Sequence, residues 1–169
     1  MLAMDDAITV SRNLAGMPNM DPIELARCAK AALERVCSGA NLDPASRYYS
    51  AEFVDHVNDL EFSGLDGAEQ SIALYKQALS NLQIRVHEQL VEGNRVTSRF
   101  TVSGSCRGRH VRFGGITISR FEAGLIVEDW SMIDTLSMAR QLGLWRTLWL
   151  AVKQRRAIAI ARAAARSGS

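Results

Sequence analysis

A chain of 169 residues, 47% apolar and 22% charged, is long enough for one domain with a sizeable core and has an ordinary soluble composition. Its net charge of +2 is uneven: Arg146, Lys153, Arg155, Arg156, Arg162 and Arg166 carry +6, leaving residues 1–145, with 14 basic and 18 acidic side chains, at −4. Three cysteines without metal spacing, an acidic N-terminus unlike a signal peptide, and no apolar run near the ~20 residues of a membrane span argue for a reduced, cytoplasmic protein.

Residues 1–20 show no sustained periodicity and are expected to form an arm or a short helix. Asp21-Pro22-Ile23-Glu24 is a helix start: Asp caps, Pro fits the first helical position, and Glu24 completes a capping box. That helix is expected to run to about Cys37 and stop near Gly39. Cys28 and Cys37, nine residues apart along it, are then too distant to bridge. Asp43-Pro44 opens a shorter helix to about Tyr49, and Asp66, with Glu69 three residues on, begins a third.

Strand periodicity follows. Leu82, Ile84, Val86 and Leu90 alternate against Gln83, Arg85, His87 and Gln89. Beyond a turn at Glu92–Arg95, Val96, Phe100 and Val102 oppose Thr97, Arg99 and Thr101. A strand from His110 towards Phe121 leads through Glu122-Ala123-Gly124 into a last strand, Leu125 to about Met132. With no bulge, Glu128, Trp130, Met132 and Asp134 share a face. Three helices and then a meander of long antiparallel strands make an α+β plan, with the helices covering the concave face of a curved sheet and leaving a pocket.

The stretch Gly115-Ile-Thr-Ile-Ser-Arg-Phe121, then Gly124-Leu-Ile-Val-Glu128, Trp130, Asp134 and Gln141-Leu-Gly143, resembles the SnoaL-like polyketide cyclases. Phe53-Val-Asp-His56, Glu92-Gly-Asn-Arg-Val96 and Arg99-Phe-Thr-Val-Ser-Gly104 agree, so the likeness covers roughly residues 22–143. The resemblance implies a cone-shaped, nuclear transport factor two-like (cystatin-like) barrel and a homodimer. The domain is expected over residues 21–143, with a separate segment at 144–169.

The resemblance also implies a proton-moving Asp134 beside a substrate carbonyl, in an apolar setting that raises its pKa. The alternative is that Asp134 caps a short helix over residues 135–141. His56 either positions a substrate oxygen or is a hydrogen-bonded structural histidine, and Asp55 is either that histidine's partner or a site residue. Arg99, on an expected inward position, either binds an oxyanion or pairs with Asp134 or Glu128. Trp130, Tyr49, Phe53, Glu128, Ile118 and Met132 are the expected pocket wall.

His56, His87 and His110 lack zinc spacing and no phosphate loop is present, so neither metal nor cofactor is expected. The implied chemistry is aldol-type cyclisation or isomerisation of a mostly apolar polyketide- or steroid-like carbonyl compound. A ligand- or lipid-binding module, or an interaction module on the same scaffold, is the alternative. Epoxide hydrolysis is disfavoured, because Thr101 stands where the related hydrolases need an Asp.

Beyond Gly143, Trp145, Leu148, Trp149 and Val152 describe an amphipathic helix of about ten residues, after which Arg155, Arg162 and Arg166 interrupt the apolar side. This basic segment is expected to dock on the body or a second subunit, with weak contact to an anionic membrane surface as the alternative. Nucleic-acid binding is not expected, since its aromatics are not interleaved for base stacking.

Overall fold

The computed structural model describes residues 7–11, 21–38 and 43–143, the first stretch by its backbone alone. The arm's remaining residues and the basic segment 144–169 lie outside the described residues. Seven strands form one sheet in the order β1-β4-β5-β6-β7-β2-β3. They span Ala7–Ser11 (β1), Tyr49–Val57 (β2), Leu60–Ser63 (β3), Ser80–Glu92 (β4), Arg95–Cys106 (β5), Arg109–Glu122 (β6) and Leu125–Ile133 (β7). Helices α1 (Pro22–Ala31), α2 (Gly64–Ala78) and α3 (Thr135–Leu142) complete the α+β plan.

The first helix starts as its sequence predicts. The Asp21 carboxylate accepts from the Ile23 amide at 3.0 Å, and Pro22 opens the helix. From Ala32 to Val36 it widens to a π-helical turn. The Asp43-Pro44 helix is a single 3-10 turn, Ala45–Arg47, beside which Asp43 accepts from Arg35 Nε and the Tyr48 hydroxyl, each at 2.6 Å. Helix α2 begins at Gly64, two residues before the predicted Asp66, and its cap residue Ser63 makes no side-chain capping bond.

Two strand elements differ from the sequence expectation. Residues 7–11 form β1, parallel to β4, instead of lying wholly in an irregular arm. Between the first two helices the chain makes a β2–β3 hairpin through Asn58-Asp59, with Asn58 at φ +50°. Asn tolerates this left-handed conformation better than most residues. Phe53, Asp55 and Val57 face inward, and β2 pairs in parallel with β7. The sheet is therefore mixed.

The long meander is held by short turns. Arg107-Gly108 and Ala123-Gly124 both take positive φ at their two central residues, the geometry that suits the twist of antiparallel hairpins. Register shifts bend the ladder between Val86 and Glu88 of β4 and between Arg120 and Phe121 of β6. The first reverses a sequence expectation: past the shift Leu90 is exposed and Gln89 is buried. The Gln89 amide is satisfied by the Ala26 carbonyl at 2.9 Å and Ser98 Oγ at 3.1 Å. One core cluster joins α1 to Tyr49, Phe53, Val96, Phe121 and Ile126; another joins Leu33, Leu82, Phe100, Val102 and Phe113. Among the described residues no helix is long and apolar enough to cross a membrane.

Candidate active site

Between the two core clusters lies a cavity of about 70 Å³. Its wall includes Tyr49, Phe53 and Val57 of β2, Ser71, Ile72 and Tyr75 of α2, and Phe100 and Val102 of β5. Its polar floor is Asp55 of β2 with Asp129 and Ser131 of β7. A second cavity of about 240 Å³, under the β2–β3 turn and α3, shares Val57, Ser71, Tyr75 and Ile133 with the first.

Strand parity puts the two acids together. Asp55 and Asp129 are direct partners in the parallel β2–β7 ladder, and both project to the interior, at 9% and 6% exposure. Burial, aided by the neighbouring Asp55 carboxylate and Glu128, pushes Asp129 up to about 8 despite a hydrogen bond from Ser119. Burial lifts Asp55 to about 6, opposed by a Ser71 hydrogen bond and by His56. Two adjacent acids in a low-dielectric wall cannot both ionise readily, so near neutral pH Asp129 keeps its proton and Asp55 is the one that ionises. Asp129 Oδ1 is buried without a hydrogen-bond partner. Such an orphaned acceptor is rare in a folded interior.

Nearby hydroxyls are already engaged. Thr117 Oγ1 and Ser131 Oγ are 2.6 Å apart, and Tyr49 Oη lies 3.6 Å from Cys37 Sγ. Burial raises the pKa of both Tyr49 and Tyr75, and pushes the Cys37 thiol up to about 12, so all three are neutral donors at ordinary pH.

Most of the predicted site residues lie elsewhere. Asp134 is exposed and caps α3, accepting from the Ser137 amide at 2.8 Å. That was its alternative role, and the expected apolar setting is absent. Glu128, Trp130 and Met132 do share a face, but it is the outer one, where Trp130 is 56% and Met132 69% exposed. His56 projects to the same outer face and stacks on Trp130, with ring centroids 3.9 Å apart. It lies 3.4 Å from Glu61 and 3.6 Å from Glu128. Glu128 accepts from Arg120 Nε at 2.8 Å, which lowers its pKa, and Arg120 also pairs with Glu122. Arg99 is on the outer face too, paired with Glu88 at 2.9 Å instead of with Asp134 or Glu128. Ile118 is exposed beside Trp130, its register partner.

Tyr49 and Phe53 do line the cavity, their rings 4.5 Å apart and tilted. The sequence does not single out Asp129, and it offers Asp55 as either the partner of His56 or a site residue. The usable signal is a pair of acids on two strands, with Asp55 standing between the apolar Phe53 and Val57 of its own face. Among the described residues no group of three or more His, Cys, Asp or Glu is arranged to hold a metal ion.

The profile of SnoaL-like polyketide cyclases matches residues 27–142, most of the sheet and its helices. The chain belongs to the SnoaL-like polyketide cyclase family. Solved relatives share the fold. A putative polyketide cyclase from Bacillus cereus ATCC 10987 superposes with a TM-score of 0.66 at 24% identity, covering 82% of this chain and 91% of that one. The putative polyketide cyclase IdmH from Streptomyces antibioticus gives 0.61 at 19% identity, covering 74% and 100%. A hypothetical protein with a ketosteroid isomerase-like fold from Catenulispora acidiphila DSM 44928, in complex with trimethylamine, gives 0.60 at 18% identity, covering 72% and 93%. No curated protein matches the chain. The SnoaL-like domain thus carries its buried acids on β2 and β7, not at the start of α3.

Proposed function

We propose that this SnoaL-like protein binds a mostly apolar small molecule in the inner cavity and performs cofactor-independent acid/base chemistry on its carbonyl group. The observation carrying this reading is the adjacent pair Asp55 and Asp129, buried in an aromatic wall with one carboxyl oxygen unpartnered. Asp55, the more acidic partner, takes a proton from the carbon next to the carbonyl. Asp129, protonated near neutral pH, donates a hydrogen bond or its proton to the developing enolate oxygen. The enol carbon then attacks a second carbonyl, whose oxygen takes the proton held by Asp55 as the enol O–H returns its proton to Asp129, giving an aldol closure; delivery of the Asp55 proton to another carbon of the enol gives isomerisation instead. A cavity of about 70 Å³ takes the reacting part of such a molecule, and the second cavity of about 240 Å³ gives the remainder a place to lie.

Hydrogen–deuterium exchange at the acidic C–H of 1,3-diketone and steroid enone probes, followed by NMR in D2O, tests this assignment. Asp129→Asn and Asp55→Asn should each slow exchange at least a hundredfold, while Asp134→Asn leaves it unchanged. Exchange that depends on Asp134 and ignores Asp129 would refute the assignment. Binding without exchange in the unaltered protein would instead support a ligand-carrying module.

Two copies pairing through the outer sheet face belong to the same reading. Ile116, Ile118, Trp130 and Met132 form neighbouring exposed apolar positions on β6 and β7, with pairs of both signs, Arg99–Glu88 and Arg120–Glu128, beside them. A face carrying both charges around an apolar centre suits a self-complementary two-fold contact. A cytoplasmic location completes the reading, consistent with Cys28, Cys37 and Cys106 all being free thiols.

A further inference from the structure

The inner cavity is unbalanced in charge. Its lining holds two carboxyl groups and no Lys, Arg or His. The groups around the acids are hydroxyls and a thiol: Ser119 on Asp129, Ser71 on Asp55, and Cys37, Tyr49 and Tyr75 close by. Lys76 acts on Cys37 from outside the lining, and His56 and Glu128 lie across the sheet, on the outer face. What the cavity lacks is a positive charge. Asp129 Oδ1, in a side chain more than nine-tenths buried, has no hydrogen-bond donor of its own.

The rest of the wall suits one kind of positive charge. Tyr49, Phe53, Tyr75 and Phe100 line this wall, and aromatic rings attract alkylammonium groups, more strongly when water is excluded. Leu33, Ile72 and Val102 supply methyl-lined surface that cannot ligate a metal ion but fits N-methyl or N-methylene groups. A carboxylate ligand would add a third acid to the two already crowded there.

We infer that the cavity floored by Asp55 and Asp129 is a site for a small organic cation, an alkylated ammonium group, and that it discriminates against anions of the same shape. This rests on the reading above that the inner cavity is the ligand site, and adds a second class of occupant, one that competes with the carbonyl compound for the acid pair. The ammonium sits against the acid pair, its alkyl groups on the aromatic wall. The remainder of the molecule leads out past Val57 and Ile133.

Isothermal titration calorimetry of the full chain at pH 7.5 tests the inference with three probes of nearly one shape: choline, its carbon isostere 3,3-dimethyl-1-butanol, and the anion 3,3-dimethylbutanoate. Choline should bind saturably, at least tenfold more tightly than the neutral isostere, with no detectable binding of the anion. Asp55→Asn, which removes the carboxylate ionised at this pH, should weaken choline at least tenfold and move the neutral probe by less than threefold. Equal affinity for choline and its isostere would overturn the inference, as would choline binding that ignores this substitution. The isostere comparison needs no variant, so it decides the matter even if an asparagine chain fails to fold. If the diketone probes bind and choline does not, the cation inference alone fails. If neither class binds, the cavity is not the ligand site and both readings fall.

Discussion

Replacing Asp129 by Asn should make the protein more stable while removing its chemistry. In the unfolded chain this carboxyl ionises near 3.8, and in the fold it is pushed up to about 8. Its folded pKa is thus the higher one, so its contribution is most favourable below about pH 4 and is lost as pH rises to about 8. Between those values the unfolded chain releases a proton that the native state keeps. At pH 7 the gap of about three pH units above the unfolded value corresponds to about 4 kcal/mol of lost stability at ~1.4 kcal/mol per unit. Asn keeps the shape and cannot ionise, but its amide needs an acceptor in the same wall, so recovery of roughly half, about 2 kcal/mol, is the expected gain. For a chain of this length that raises the melting temperature by roughly 4–8 °C. Urea unfolding of both proteins at pH 5, 7 and 9 is the assay. The unaltered protein should weaken steadily across this series, whereas Asp129→Asn should weaken less, the remaining slope coming from Asp55, which is lifted to about 6. Equal pH slopes for the two proteins, or an Asn chain less stable at pH 9, would refute the claim that this acid is held neutral against its own tendency.

Other substitutions separate the remaining roles. Asp134→Ala removes the acceptor of the Ser137 amide and should cost about 1 kcal/mol in thermal unfolding, with no change in probe exchange. Gly115→Ala places a methyl group 2.6 Å from Phe100 Cζ on the cavity wall. A loss of about 1–3 kcal/mol is expected by denaturant titration, since ring and strand must shift. Trp130→Ala with Met132→Ser strips the outer face and the His56 stack. Sedimentation velocity should then show monomer where the unaltered chain sediments as dimer.

Elements with strong local chemistry were legible in the sequence. The Asp21-Pro22 start, the short turns and the alternation of β5 each follow from a residue preference that local geometry rewards. The β2–β3 hairpin was not, because its inward residues Phe53, Asp55 and Val57 include an acid that breaks the apolar alternation. The register past Val86 was not legible either. A shift of one residue in β4 exchanges the faces of Gln89 and Leu90, and only the pairing with β5 and the polar partners at Ala26 and Ser98 fixes it.

That Trp130, Met132 and Asp134 lie outside the cavity has a physical cause that is itself informative. In the middle of β6 and in β7 over residues 129–132 the usual rule is inverted: the outer positions are Ile116, Ile118, Trp130 and Met132, while the inner ones are Thr117, Ser119, Asp129 and Ser131. A reader who assigns the greasier face to the interior puts Trp130 and, by extension, Asp134 in the pocket, and sends Asp129 to solvent. For an isolated domain such an inversion places polar groups inside and apolar ones outside, unfavourably on both counts. Under the proposed reading each face gains a further occupant that offsets this cost, a polar or charged ligand group within and a protein surface without. Substitutions that restore the ordinary pattern, such as Asp129→Leu inside or Ile118→Thr outside, should therefore leave the domain folded by circular dichroism. The first should remove ligand binding and the second should weaken self-association. A domain that unfolds on either change would show that the inverted pattern serves the fold and not its partners.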